Sequence, residues 1–93
     1  MIRSFRDKDT EAIWQRRQVK KLSPELSRLT YNKLVLVNAA ANINDLRVPP
    51  GNHLEKLVGD RVGPYSIRVN NRWRICFSWS ASGAANVELV DYH

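Results

Sequence analysis

The segment Tyr65-Ser66-Ile67-Arg68-Val69-Asn70-Asn71-Arg72-Trp73-Arg74-Ile75-Cys76-Phe77 decides how this chain folds. Tyr65, Ile67 and Val69 alternate with Ser66 and Arg68, and past Asn70-Asn71-Arg72 the alternation resumes with Trp73, Ile75, Phe77 and Trp79. A period of two sends successive side chains to opposite faces, so these are two antiparallel strands sharing one apolar face. A two-residue turn at Asn70-Asn71 would set Val69 against Arg72 and Ile67 against Arg74, apolar against charged along the whole ladder. A three-residue loop, Asn70 to Arg72, pairs Val69 with Trp73, Ile67 with Ile75 and Tyr65 with Phe77. A slip of one residue turns every side chain to the other face, so burial selects the longer loop. Asn71 or Arg72 is then expected in the left-handed conformation, which Asn tolerates best.

That register sets Arg68 opposite Arg74 on the polar face. Like charges facing each other across a ladder cost up to about 1 kcal/mol, and an anion bridging two guanidinium forks would relieve the conflict. Downstream, Val87 and Leu89 alternate with Glu88 and Val90 as a third strand. Pairing Trp79 with Val87 puts Arg74 opposite Tyr92 and Trp73 opposite His93. A shift by two residues moves Tyr92 one pair along but keeps its face. Arg68, Arg74 and Tyr92 thus share one polar patch, either a phosphate-binding surface or a solvated sheet face with a tyrosine at its edge.

Upstream the period is helical. Ser23-Pro24-Glu25 supplies a hydroxyl cap, proline in the first turn and an acid facing the helix dipole, so a helix is expected from Pro24 to about Asn42. Leu22, Leu26, Leu29, Leu36, Ala40 and Ile43 give it an apolar face. Asp7 and Asp9 are candidate caps for a shorter helix around Thr10 to Arg17. Met1 to Phe5 alternates apolar and polar residues and reads as a short strand. Val48-Pro49-Pro50-Gly51-Asn52 stops any helix and makes a rigid loop. The expectation is one α+β domain over residues 1–93, with an N-terminal strand and two helices packed on one face of a mainly antiparallel sheet.

Composition narrows the partners. Fifteen Lys and Arg against nine Asp and Glu leave a formal charge of +6, with a pI near 10.0. Such a charge on so small a surface favours polyanions, nucleic acid first and an anionic membrane or acidic protein next. Cys76 is the sole cysteine, which rules out a disulfide framework and a cysteine-built metal site; a small half-buried strand residue is its simplest reading. The N-terminus carries no apolar run suited to a secretion signal, and no stretch has the length of a membrane span. A cytoplasmic protein without a membrane partner is expected.

Chemistry-bearing residues gather near the end. Cleaving RNA through its own 2′-hydroxyl needs a group to take that proton, a group to protonate the leaving 5′-oxygen, and positive charge for the pentacoordinate phosphorus. Asp91-Tyr92-His93 offers a carboxylate, a phenol and an imidazole, and His53 adds a second imidazole just after the Pro-Pro-Gly loop. A phenol acting as base needs its pKa lowered by cations, which Arg68 and Arg74 would supply. Each residue also has an ordinary use: His53 as a loop surface residue, Asp91 as an edge-strand solubility charge, His93 as a fraying terminus. The sequence contains no metal-ligand spacing, Gly-rich phosphate loop or nucleophile elbow, so neither metal nor cofactor is expected.

Three segments together resemble the HigB toxins of the RelE/ParE superfamily: Pro49-Pro50-Gly51-Asn52-His53-Leu54-Glu55-Lys56-Leu57, the Tyr65–Phe77 hairpin, and Val90-Asp91-Tyr92-His93. The resemblance covers nearly the whole chain. It implies a RelE-like fold and an endoribonuclease that cleaves messenger RNA in the aminoacyl site of the ribosomal 30S subunit. It also implies a HigA-like helix-turn-helix antitoxin as partner. By resemblance, His53, Asp91, Tyr92 and His93 are the catalytic set, while Arg68 and Arg74 bind phosphate. Lys56 falls among basic RNA-binding positions that vary across the superfamily. A ParE-like gyrase poison shares the fold without the acid/base set, and His53 and His93 argue against it. A non-catalytic nucleic-acid-binding module would need only the charge.

Overall fold

The computed structural model describes residues 1–56 and 64–92. Two helices, α1 (Lys8–Trp14) and α2 (Pro24–Ala39), are followed by 3-10 turns at Ile43–Arg47 and Pro50–Asn52. Among the described residues four strands follow: β1 (Glu55–Lys56), β2 (Pro64–Arg68), β3 (Trp73–Ser80) and β4 (Gly83–Asp91). They form an antiparallel sheet in the order β1-β2-β3-β4. With α2 against β3 and β4, and α1 against β4 and α2, the architecture is the α+β arrangement expected.

The central hairpin has the register that burial selects: Tyr65 pairs with Phe77, Ile67 with Ile75 and Arg68 with Arg74. Its loop closes differently. Neither Asn71 nor Arg72 adopts a positive φ. Instead the Asn70 side-chain oxygen accepts from the backbone N–H of Arg72 at 2.9 Å and of Trp73 at 2.8 Å. An Asn side chain bonding its own backbone two residues on imitates a turn, so no left-handed residue is required.

The β3–β4 register departs from expectation. Trp79 faces Ala84 rather than Val87, Arg74 faces Val90 rather than Tyr92, and Trp73 faces Asp91 rather than His93. The cause is a tight turn with Ser80 opposite Gly83, followed by a bulge between Cys76 and Ser78. Gly83 permits it: its φ is +120°, and a Cβ there would lie 2.1 Å from the Met1 carbonyl oxygen. That carbonyl accepts from Ala84 N–H. Met1 to Phe5 is therefore not a regular strand but two isolated parallel bridges to β4, Ile2 with Ala84 and Phe5 with Val87. Between them Asn86 turns left-handed, with φ 53°, and breaks the ladder.

Asp7 caps α1, its carboxylate accepting from Thr10 N–H at 3.1 Å. The helix stops at Trp14, short of Arg17, because the chain turns left-handed at Arg16, φ 64°. Ser23 caps α2 as its sequence requires. The helix ends at Ala39, and Asn42 instead opens the next 3-10 turn through a reciprocal capping box with Asp45. The stripe that α2 buries is Leu26, Thr30, Leu34 and Val37, while Leu29 and Leu36 pack at its flank. It meets Ile67, Ile75, Phe77 and Val87 from the sheet to form the core.

Candidate active site

On the sheet face away from the helices, strand alternation brings together Ser66 and Arg68 of β2 with Arg74 and Cys76 of β3. Tyr92, just past β4, reaches the same face: its hydroxyl lies 3.8 Å from the Cys76 sulfur. Among the described residues, His53 and Glu55 also enter from outside the hairpin.

The His53 position is fixed from below. Asn52, fully buried, donates its side-chain amide to the carbonyls of Leu46 and Val48, at 3.1 and 3.3 Å. Its oxygen accepts from Lys33 Nζ of α2 at 2.6 Å. Burial, and to a lesser degree the charge of Arg68, lowers the Lys33 pKa below its ordinary value. Clamped in this way, the chain turns at His53 into the left-handed region, φ 43°, leaving the residue exposed and its carbonyl aimed at the sheet.

Arg74 takes that carbonyl. Its Nη2 donates to His53 O at 2.5 Å and to Ser66 O at 3.2 Å, while Nε donates to the Ser66 hydroxyl at 2.9 Å. Glu55 lies 4.0 Å away across the guanidinium. Arg74 is only 9% exposed, so it is not the open solvent-facing fork that its strand position suggests. Arg68, half-buried, points its Nε to the Asn70 carbonyl at 3.0 Å. The two guanidinium groups thus take separate carbonyl partners, Asn70 for Arg68 and His53 and Ser66 for Arg74.

Tyr92 also departs from expectation. Partial burial, followed by its hydrogen bond with Cys76, pushes the phenol pKa above its ordinary value, and the opposing influence of Arg74 is smaller. The hydroxyl keeps its proton through neutral pH, which suits a donor and not a base. Asp91 stands one residue earlier, opposite Trp73, and alternation turns it to the other face. There its carboxylate takes Arg72 through both oxygens, Nε at 3.0 Å to each and Nη2 at 2.7 Å to Oδ2. Lys56 pairs with Tyr65 and likewise stands on the face opposite Arg74. His93 lies outside the described residues.

The family model described as the RelE-like toxin HigB of type II toxin–antitoxin systems matches residues 3–93. The chain belongs to the HigB-like toxins. It is 37% identical over 90 residues to Toxin HigB-1 of Vibrio cholerae, covering 96% of this chain and 95% of that protein. It is also 39% identical over 69 residues to an uncharacterized protein of Haemophilus influenzae, covering 74% of this chain and 68% of that one. Membership of a type II toxin family implies a cognate antitoxin partner.

Within this HigB-like toxin the fold groups His53, Arg68, Arg74 and Tyr92 on one side of the sheet and sets Lys56 and Asp91 apart from them. It adds Glu55 and Lys33, which sequence reasoning missed. Glu55 faces Ser66 in β1, but a strand of two residues has no period to read. Lys33 looked like any helix-surface lysine, and only the buried Asn52 gives it a task.

Proposed function

We propose that this HigB-like toxin is a ribosome-dependent endoribonuclease acting on messenger RNA in the aminoacyl site of the 30S subunit, in the cytoplasm. Attack of a 2′-oxygen on the adjacent phosphorus breaks the P–O5′ bond, leaving a cyclic phosphate and a free 5′-hydroxyl. The observation that carries this reading is the gathering of the His53 turn, Arg74 and Tyr92 on one side of the sheet, where Arg74 holds the His53 carbonyl and the Tyr92 phenol keeps its proton. Tyr92 donates its proton to the leaving 5′-oxygen. His53, exposed on a clamped turn, takes the 2′-hydroxyl proton. Arg74 holds the His53 turn against Ser66 and contributes positive charge to the phosphorane, while the more open Arg68 receives the flanking phosphate.

Asp91 acts electrostatically, by fixing Arg72 at the rim through its two-oxygen grip. His93 completes the catalytic set, and Lys56 contacts RNA beyond the reacting phosphate. A HigA-like helix-turn-helix antitoxin neutralises the toxin.

Purified toxin incubated with programmed ribosomes tests the reading. The expected result is messenger cleavage that requires ribosomes and is abolished by His53→Ala combined with Tyr92→Phe. Growth arrest without RNA cleavage would shift the function toward gyrase poisoning. Binding to RNA without cleavage would reduce the protein to a binding module.

A further inference from the structure

Lys33 of α2 carries a charge that its bond to Asn52 does not explain. The side chain is half-buried, with Nζ 2.6 Å from the Asn52 side-chain oxygen. Burial disfavours the charged ammonium, and the guanidinium of Arg68 disfavours it further. Among the described residues no carboxylate forms an ion pair with either Lys33 or Arg68. The Asn52 oxygen needs only a donor. A neutral amide would supply one without desolvating an ammonium or setting it near a guanidinium.

Like charges gathered without an acid are costly, and an anion that joins them removes the cost. Both cations have donors left for one. An ammonium carries three N–H groups, of which Asn52 takes one. Arg68 gives its Nε–H to the Asn70 carbonyl, which leaves both Nη groups for a ligand. The two reach the site from different layers. Arg68 stands opposite Arg74 in the β2–β3 ladder, while Lys33 comes from α2 and meets the chain one residue before His53. An anion held between them therefore lies beside the His53 turn, next to the phosphate on which that turn and Tyr92 would act. The anion that RNA itself brings to such a place is the neighbouring phosphodiester.

We propose that Lys33 and Arg68 together form a second phosphate subsite, which takes the phosphodiester adjoining the one that is cleaved. The inference rests on the proposed function above and adds to it Lys33, a residue of the helical layer. One side chain then has two tasks: it fixes the His53 turn through Asn52, and it draws the message to the same place.

The test measures cleavage by full-length toxin on programmed ribosomes, for wild type, Lys33→Gln, Lys33→Arg and Asn52→Ala. Each acts on the ordinary message and on messages in which one phosphodiester beside the cleaved bond is replaced by an uncharged methylphosphonate. Lys33→Gln keeps a donor for Asn52 and loses the charge. It is expected to raise the half-saturating toxin concentration by at least roughly tenfold, with the maximal rate within about threefold of wild type. Lys33→Arg should restore most of the affinity, and Asn52→Ala should lower mainly the maximal rate. One uncharged linkage should weaken wild type by a factor similar to that of Lys33→Gln. The same linkage should weaken Lys33→Gln hardly further, because both changes remove one contact. Equal penalties from that linkage in the two proteins would overturn the subsite. So would a Lys33→Gln protein that loses only maximal rate, since Lys33 would then act through the turn alone. If no uncharged linkage weakens wild type, no phosphate is held there, and the inference falls whatever the variants do. A wild-type protein that cleaves no message removes the proposed function as well, whereas cleavage without these linkage effects removes only the subsite.

Discussion

Tyr92 and Arg74 share a face through the same strand alternation, yet their surroundings give them different work. Tyr92 is 46% exposed, with a proton held more firmly than in a free phenol. Replacing it with Phe removes the donor and little else. Cleavage by Tyr92→Phe should fall by about 10²–10⁴-fold while ribosome binding changes far less. Because its pKa is raised, Tyr92 remains a donor up to its ordinary value of 10.0. The wild-type rate should therefore show no decline due to this residue between about pH 7 and 9. The linkage has the same sign: the folded state binds this proton more tightly, so its stabilisation is present below pH 10.0 and is lost as pH rises through the raised value. A pH–rate profile that falls near neutrality, and does so identically in Tyr92→Phe, would assign the titrating group elsewhere. Arg74 behaves differently, because three hydrogen bonds tie it to His53 and Ser66. Arg74→Ala should lower stability by about 1–3 kcal/mol as well as abolish cleavage, since buried acceptors are left unpaired. Arg68→Ala should slow cleavage with a stability change within about 0.5 kcal/mol. Denaturant titration of the two variants side by side separates the roles.

The two short elements on either side of the hairpin illustrate how backbone sites govern function at the level of the fold. The 3-10 turn Pro50–Asn52 has no capping side chain at its start and depends on the buried Asn52 for its attachment. Asn52→Ala removes two amide donations and the Lys33 partner together. The expected loss is about 2–4 kcal/mol, at roughly 1–3 kcal/mol for each buried group left unsatisfied, with cleavage reduced as the His53 turn loosens. Thermal melting and cleavage measured on the same preparation check both; an unchanged melting temperature would show that the turn is held by other means. At the other end, Gly83 lets the N-terminal segment approach β4. Gly83→Ala places a methyl against the Met1 carbonyl at a φ of +120° and should destabilise by about 1–3 kcal/mol.

Over the whole molecule the charge of +6 is expected, under the proposed function, to act on the approach to RNA beyond any single contact. Ribosome affinity is expected to drop by at least roughly tenfold between about 50 and 200 mM salt, and a salt-independent affinity measured by co-sedimentation would remove electrostatics from the account. Alternating residues in β2 and β3 have only one register that buries their apolar face, so the hairpin and the facing of Arg68 and Arg74 were determined by sequence alone. The start of α2 at Ser23-Pro24 was determined in the same way, because capping is local chemistry. Where a position depends on a residue distant in the chain, local pattern is silent. The Gly83 turn and the Cys76/Ser78 bulge set the β4 register, and with it sent Asp91 to Arg72 and Tyr92 to Cys76. The two-residue β1 brought Glu55 beside Arg74, and the clamp from Lys33 through Asn52 fixed His53. Side-chain alternation chooses a face, but the partners found on that face, and hence the burial of Arg74 and the protonation of Tyr92, come only from packing between segments far apart in sequence.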